Sequence, residues 1–387
     1  MRTHLFPTRP RLLAIVFTTA ILLLLLVPVA AYAQANNAHG FYQQANLVSD
    51  LPNIAQVQDP NLVNSWGLSH GPTSPWWVSD NGTGVATLYN GNGTPVNPLP
   101  PGTPPLVVTI PVPAGVTTAA PTGNVSNGTS GFVVSENGKS APSRFIFATE
   151  DGTISGWSPA VDQTHAILKV DRSTVSQGGF VGAVYKGLAT GSNASGNFIY
   201  ATNFRFGAVE MFDSSFSFVG SFTDSKLANT CPEPNQCYAP FGIQNIGGNL
   251  YVTFAVQNAE HHDDAAGPAR GFVDVFDTSG NLIRRLVSHG RLNSPWGLAL
   301  APADFGRFSN DLLVGNFGDG RINAINPKNG AFLGQLRDQS NRPITIDGLW
   351  ALVFGNDAAA GKHNELFFTA GINGEADGLF GKITFVS

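Results

Sequence analysis

SPWGLALAPADFGRFSNDLLVGNFGDGRINAINPKNGAFLGQL, residues Ser294–Leu336, decides the fold of this chain. It contains three apolar runs and a fourth that is half apolar, and glycine, asparagine and aspartate separate them. Short apolar runs bounded by such turn residues are typical of β-strands joined by tight turns. The segment therefore predicts four consecutive short strands.

The same pattern recurs along the sequence. Each copy begins with a small residue that follows a bulky one at the start of an apolar run, and the clearest of these anchors are Gly67, Gly187, Gly242, Gly297 and Ala351. The last three intervals are 55, 55 and 54 residues, and the first interval of 120 residues leaves room for one less regular copy, from Pro121 to Val170. A fixed period of this length is the signature of a repeat architecture.

Four-stranded units repeated around an axis form the blades of a β-propeller. Six anchors predict six blades, but the sixth copy ends one strand short at Ser387. The strand-like segment Tyr42–Asp50 precedes the first anchor, so we predict that it completes the last blade and closes the ring, which removes exposed sheet edges. A linear solenoid is the alternative, but it leaves the last unit unfinished and the leading strand unexplained. The expected fold is all-β, a six-bladed β-propeller.

The first 33 residues have the features of a secretory signal peptide. Three arginines precede the apolar run Leu12–Val27, and the small residues Ala31–Ala33 suit cleavage. An uncleaved anchor is the alternative, because the 22 residues from Leu12 to Ala33 are enough to span a bilayer. We expect export to the periplasm or the medium, with residues 34–387 as a single propeller domain that has no further membrane span.

Charge and cysteine content narrow the range of partners. Without residues 1–33 the chain keeps 18 Lys and Arg against 26 Asp and Glu, a net charge of −8. This charge argues against nucleic acid, which requires clustered cations. Cys231 and Cys237 are the only cysteines, and their spacing in an exported chain predicts a local disulfide. We expect a monomer whose partner is a peptide, a glycan or another exported protein.

The repeats resemble those of NHL-repeat propellers. In the fifth copy, Pro295, Gly297 and Leu298 precede the run LLVGN and then Gly320 and Arg321, which is that family's order of inner strand, second strand and turn into the third. The likeness extends over nearly the whole predicted domain and is strongest in the blades that begin near Trp66 and Trp296. The chain also resembles a family of exported bacterial proteins built on such repeats.

In a propeller, the loops that enter the inner strands and the turns between second and third strands share one face. We expect this face to carry NSW, SPW and DGLW, the segment 256–271 and the turn GINGEADGLFG. A polar surface rimmed by aromatic residues at a central channel is the default ligand site. Core packing is the alternative for its three tryptophans. The candidate ligand-binding residues are Trp66, Asp80, Asn81, Glu150, Asp151, Asn203, Trp296, Asn316, Asp319 and Trp350.

The sharpest local signal for a metal is Glu260, His261, His262, Asp263 and Asp264. Imidazoles and carboxylates together can bind zinc, and the asparagine and aspartate supply at the axis suits calcium. A solvated polar loop is the alternative, because consecutive loop residues rarely point at one ion without ligands from elsewhere.

Two functions follow from these patterns. The first is a binding or scaffold propeller that acts through its polar channel face. The second is a calcium- or zinc-dependent hydrolase or lyase, by analogy with related six-bladed propellers that place an ion at the channel mouth. The sequence identifies no catalytic residue, so whether the chain is an enzyme stays open.

Overall fold

The computed structural model describes residues 40–97 and 104–387; the predicted signal peptide lies outside them. Nearly all regular structure is β-sheet. The chain begins with β1 (Phe41–Ser49) and the short β2 (Val57–Gln58), which pairs with β1 in parallel. Among the described residues, no helix has the length and apolarity that a membrane span requires.

Five four-stranded antiparallel blades follow in chain order. Blade 1 consists of β3 (Ser65–Ser69), β4 (Trp76–Asp80), β5 (Val85–Tyr89) and β6 (Val107–Thr109). Blade 2 consists of β7 (Pro121–Ser126), β10 (Phe145–Thr149), β11 (Thr153–Trp157) and β12 (Ile167–Asp171), with an inserted hairpin of β8 (Val133–Glu136) and β9 (Lys139–Pro142). A second small hairpin, β13 (Ser176–Gln177) and β14 (Phe180–Val181), leads into blade 3.

Blades 3, 4 and 5 are the most regular. Blade 3 consists of β15 (Tyr185–Asn193), β16 (Gly196–Asn203), β17 (Ala208–Asp213) and β18 (Phe218–Phe222). The one-turn helix α1 (Ser225–Ala228) and the predicted disulfide Cys231–Cys237, which is confirmed, precede blade 4. Blade 4 consists of β19 (Tyr238–Ile246), β20 (Asn249–Val256), β21 (Phe272–Phe276) and β22 (Leu282–Ser288). Blade 5 consists of β23 (Pro295–Leu300), β24 (Leu312–Asn316), β25 (Ile322–Ile325) and β26 (Phe332–Gln335), with a 3₁₀ turn at Gly306–Phe308.

Blade 6 joins the two ends of the propeller. Its first three strands are β27 (Leu349–Phe354), β28 (Leu366–Ile372) and β29 (Asp377–Val386), and β1 is the fourth. The antiparallel register of β1 and β29 runs from Phe41 opposite Val386 to Ser49 opposite Leu379. The prediction that the N-terminal strand completes the last of six blades is therefore confirmed.

Burial follows the position of each strand in its blade. The second strands β4, β10 and β24 are buried along their whole length, because both faces of a blade pack against neighbouring blades. The outermost strands β18, β22 and β26 are mostly exposed or half-buried. The core thus lies between the blades, and the inner strands surround a central channel.

The anchor glycines allow neighbouring inner strands to approach closely. A Cβ built on Gly242 would lie 2.1 Å from the carbonyl oxygen of Trp296 on the next inner strand, whereas a Cβ on Gly187 would meet nothing closer than 3.1 Å. The Gly242 contact is with backbone, which cannot rotate away. Glycine at position 242 is therefore a packing requirement of the ring.

This difference predicts unequal effects of two alanine substitutions. Gly242→Ala forces two inner strands apart and is expected to lower the free energy of unfolding by roughly 1–3 kcal/mol. Gly187→Ala, in the preceding repeat, is the matched control and should cost clearly less. Urea unfolding of the two variants measures both values, and equal losses would contradict this explanation of the anchors.

Candidate functional site

The turns between second and third strands converge on one mouth of the channel, here called the channel mouth. Each of the six blades contributes at least one side chain to it, and the contributors in blade order are Asn81, Glu150, Arg205, Asp263, Phe317 and Glu375. Hydrogen bonds and ring contacts connect residues from different blades, as described below. The predicted gathering of these turns on one face is observed.

An aromatic plug closes the channel beneath this mouth. The residue that precedes the anchor in each inner strand lies at this level, and in blade order these residues are Trp66, Thr122, Lys186, Phe241, Trp296 and Trp350. The four aromatic residues among them pack together and form the plug. Trp350 stacks on Trp66, with ring centroids 3.6 Å apart, and on Phe317, at 4.1 Å. Trp66 and Trp350 are each only 1% exposed. These two rings pack against one another and present almost no surface to a ligand.

Lys186 is the only charged residue at these six positions. Its side chain is buried, and its Nζ donates hydrogen bonds to Glu150 Oε1 and, at 3.0 Å, to Asp263 Oδ1. The same ammonium lies 5.1 Å from the centre of the Trp66 ring, and the indole N–H of Trp296 donates to the Lys186 carbonyl oxygen at 3.0 Å. A positive charge thus lies against the aromatic plug.

The charges around Lys186 stabilise one another. Burial alone would lower the pKa of Lys186, but the carboxylates of Glu150 and Asp263 outweigh this effect and hold the pKa above its ordinary value. Loss of solvent would raise the pKa of Asp263, but the hydrogen bond from His262 and the charge of Lys186 hold it well below the ordinary value. Both partners are therefore charged at neutral pH.

A chain of hydrogen bonds extends from this ion pair across the mouth. Asn81 Nδ2 donates to Glu150 Oε2 at 2.9 Å, and Asn64 Nδ2 donates to Asn81 Oδ1 at 3.3 Å and to Glu375 Oε2 at 2.9 Å. The indole N–H of Trp350 donates to Asn64 Oδ1 at 3.1 Å, which connects the chain to the plug. Side chains of blades 6, 1, 2, 3 and 4 thus form one network around the axis.

Several of the predicted ligand-binding residues stabilise their own turns instead of facing the mouth. Asp80 is fully buried and accepts from the Thr87 hydroxyl at 2.8 Å, and burial raises its pKa well above the ordinary value. The amide of Asn203 donates to Glu210. The carboxylate of Asp151 accepts a hydrogen bond from the Ala120 N–H, and the side-chain amide of Asn316 donates one to Asp319. Of the predicted polar residues, Asn81 and Glu150 belong to the network.

The predicted metal cluster divides between two directions. His262 Nδ1 lies 2.8 Å from Asp263 Oδ1, and both side chains face the channel mouth. His261 instead stacks on Phe180 at 4.1 Å and lies 2.7 Å from the Asn235 carbonyl oxygen. Glu260 is exposed, and burial raises the pKa of Asp264, whose Oδ2 has no hydrogen-bond partner among the described residues. The five residues therefore do not surround one ion.

A different trio of possible ligands forms at the mouth. One ligand atom from each of Glu150, His262 and Asp263 lies within 4.8 Å of the others. Two of these side chains accept hydrogen bonds from Lys186. An ion bound here would have to compete with the ammonium group of Lys186 for the same oxygens.

Sequence reasoning missed Lys186 as a functional candidate. A usable signal existed, because the position before the anchor is aromatic in four copies and threonine in a fifth, whereas the third copy reads YKGLA. A lysine in a row of buried aromatic residues indicates a paired charge, since an unpaired buried ammonium is unfavourable. Asn64 and Glu375 lie in segments that were predicted to reach this face, but nothing in their local pattern distinguishes them.

Comparison with known proteins found relatives of similar length. No protein-family model matches the chain. The chain is 31% identical over 339 residues to "Uncharacterized protein R648" of Acanthamoeba polyphaga mimivirus, covering 87% of this chain and 78% of the relative. It is 30% identical over 341 residues to "Uncharacterized protein L690" of the same virus, covering 87% and 84% of the two chains.

Solved structures with a similar shape share little sequence with this chain. Virginiamycin B lyase from Staphylococcus aureus is 15% identical with a TM-score of 0.47, covering 89% of this chain and 99% of the lyase. A gluconolactonase from Xanthomonas campestris is 14% identical with a TM-score of 0.48, covering 84% and 87% of the two chains. Similarity at this level says nothing about activity.

Proposed function

This chain belongs to the protein family of the mimivirus proteins R648 and L690, and we propose that it is a binding propeller whose ligand sits at the channel mouth. The observation that carries this proposal is the hydrogen-bonded network from Glu375 through Asn64, Asn81 and Glu150 to Lys186. A site with interlocked side chains is already ordered before a ligand arrives, which lowers the entropy cost of binding.

The charge of the mouth selects the class of ligand. The carboxylates of Glu150, Asp263 and Glu375 face the two cations Lys186 and Arg205. Negative groups outnumber positive ones, so the mouth attracts positively charged groups. The proposed ligand is a peptide or small molecule that carries an ammonium or guanidinium group.

Titration calorimetry with trilysine amide tests this function, with triglutamate as the oppositely charged probe. Trilysine should bind in a salt-sensitive manner, triglutamate should not, and Glu375→Gln should weaken trilysine binding about tenfold through loss of a charge-assisted bond. The control Glu365→Gln removes a carboxylate that pairs with Lys382 in blade 6. Equal affinity of the two variants, or no binding by the wild-type protein, would contradict the proposal.

A metal-dependent hydrolase or lyase is the second candidate function. The proximity of Glu150, His262 and Asp263 favours it, and an ion bound there would polarise a carbonyl group or activate water. Because Lys186 holds two of these ligands, we expect Lys186→Met to bind Ca²⁺ or Zn²⁺ at least tenfold more tightly than the wild-type protein. Calorimetry with each metal measures this change, and unchanged affinity would contradict metal binding by these residues.

Export is also part of the proposal. The predicted signal peptide and the Cys231–Cys237 disulfide both support an oxidising compartment, either the periplasm or the medium. N-terminal sequencing of the protein from its native source should give a start near Gln34. An intact N-terminus in the cytosolic fraction would contradict export.

A further inference from the structure

The opposite end of the channel, here called the lower mouth, contains a cavity. Its volume is ≈ 400 Å³, and residues of all six inner strands line it. Three positions after each anchor, the six blades place one residue on this rim, and in blade order these residues are His70, Ser126, Thr190, Asn245, Leu300 and Phe354. The fold thus provides a closed ring of side chains around a cavity in the size range of ligand sites.

The ring has a polar side and an apolar side. Blades 1 to 4 supply an imidazole, two hydroxyls and an amide, whereas blades 5 and 6 supply Leu300 and Phe354. Leu300 is 44% exposed at the rim, and Phe354 is held edge-on to Phe305, with centroids 4.9 Å apart. None of the described residues that line the cavity is Asp, Glu, Lys or Arg. The lower mouth is therefore neutral, in contrast to the channel mouth.

Polar groups on the rim divide into fixed and uncommitted ones. The Asn245 amide donates to the Thr190 carbonyl oxygen at 2.8 Å and accepts from the Gly248 N–H at 3.1 Å. By contrast, the side chains of Ser126, Thr190 and Gln244 are half-buried and form no hydrogen bond to any residue that the structure describes. These three come from adjacent blades and remain available to a ligand.

The cavity continues outward with the same chemistry. A second cavity of ≈ 260 Å³ shares Ser126, Thr190 and Asn245 with the first and extends to Thr278 between the blades. Its other described lining residues are glycine, serine, threonine, asparagine and one phenylalanine. The two cavities thus adjoin at these three residues, and both are lined by uncharged side chains that include hydroxyl and amide groups.

We propose that the lower mouth binds a neutral oligosaccharide. A sugar ring has hydroxyl groups that both donate and accept hydrogen bonds, which matches the serine, threonine and glutamine side chains of blades 2 to 4. It also has an apolar C–H face, which matches Leu300 and Phe354 across the cavity. The neutral lining rejects charged chains, because burying an unpaired charge is costly. The two adjoining cavities have room for more than one sugar unit.

The test uses saturation-transfer NMR and calorimetry with cellohexaose, maltohexaose and chitohexaose. At least one should bind, and hexagalacturonate should not. Leu300→Asp should weaken binding at least tenfold by placing a charge on the apolar side, and Thr190→Val should weaken it about fivefold by removing one hydroxyl. Gln43→Ala, which changes an exposed side chain of β1 outside both cavities, is the control and should leave the affinity unchanged.

Four results would overturn the proposal. The first three are the failure of all three neutral hexasaccharides to bind, binding of hexagalacturonate as tight as that of a neutral hexasaccharide, and equal affinity of Leu300→Asp and the wild-type protein. Equal binding of a neutral glycine-serine hexapeptide would assign the lower mouth to a peptide and would also overturn it. Thermal unfolding of each variant establishes that it is folded. Thr190→Val replaces only one hydroxyl group by a methyl group, so it keeps the test available if Leu300→Asp is unstable.

Discussion

Deletion of Phe41–Ser49 is expected to abolish cooperative folding of the propeller. The strand buries Tyr42, Leu47 and Val48, and loss of these three side chains removes roughly 5–9 kcal/mol of apolar stabilisation. That amount is comparable to the whole stability of a typical domain, about 5–15 kcal/mol. The deletion also exposes the edge of β29 to other chains, which favours aggregation. Circular dichroism during thermal unfolding measures the loss.

Two comparisons make this prediction specific to strand pairing. A synthetic peptide of residues 40–50 should restore a cooperative transition when it is added to the shortened chain. Gln43→Ala changes an exposed side chain of the same strand and should leave stability within about 0.5 kcal/mol of wild type. A shortened chain that unfolds cooperatively at the wild-type temperature would show that the ring does not depend on β1.

Glu150→Gln is expected to lower the free energy of unfolding by about 3 kcal/mol, because it leaves the buried ammonium of Lys186 with one of its two carboxylates. Asp263→Asn is the matched control. Its side chain is 60% exposed, so its loss should cost less than about 1 kcal/mol. Chemical denaturation of both variants gives the two values.

A double variant separates the buried charge from the rest of the site. Lys186→Met combined with Glu150→Gln removes both members of the pair and should recover most of the stability lost in Glu150→Gln. A double variant as unstable as the single one would contradict the assignment of a buried ion pair. Equal losses in Glu150→Gln and Asp263→Asn would contradict the difference in burial.

The directions of the pKa shifts of Lys186 and Asp263 set the pH range over which their ion pair stabilises the fold. The pKa of Lys186 is raised, so its contribution is complete below the ordinary lysine value and is lost as pH rises through the raised one. The pKa of Asp263 is lowered, so its contribution is complete above the ordinary aspartate value and is lost as pH falls. The contribution of the Lys186–Asp263 pair should therefore be largest between about pH 4 and pH 10, and the difference between wild type and Glu150→Gln should shrink as the pH rises above about 10.

The repeated features of the fold are predictable from the sequence. The anchor glycines recur at almost constant spacing because neighbouring inner strands approach closely at several of these positions, as the 2.1 Å contact at Gly242 demonstrates. The leading strand Tyr42–Asp50 is recognisable because the last copy lacks a strand. In contrast, the hairpins of residues 133–142 and 176–181 belong to no repeat, and periodicity does not predict them.

The candidate site is only partly predictable for a related reason. A turn residue's place in the repeat indicates which face it lies on, but not the direction of its side chain. Asp80 is the last residue of a second strand and Glu150 is the first residue after one, yet the first is buried against Thr87 and the second reaches Lys186 on the next blade. Contacts between repeats depend on the whole ring, so the pairing of Asn64 with Glu375, 311 residues apart in sequence, is absent from any local pattern.

The central claim is that function resides at the channel mouth, where Lys186 is held between Glu150 and Asp263. The most direct test is ¹⁵N NMR of the lysine side-chain nitrogens at neutral pH. A buried ammonium that donates to two carboxylates should exchange slowly with water and give a protected signal, which Lys186→Met should remove. We predict that this signal is present and shifts as trilysine amide is added. A spectrum without a protected lysine signal, or one in which the signal stays unchanged at saturating trilysine, would contradict the account.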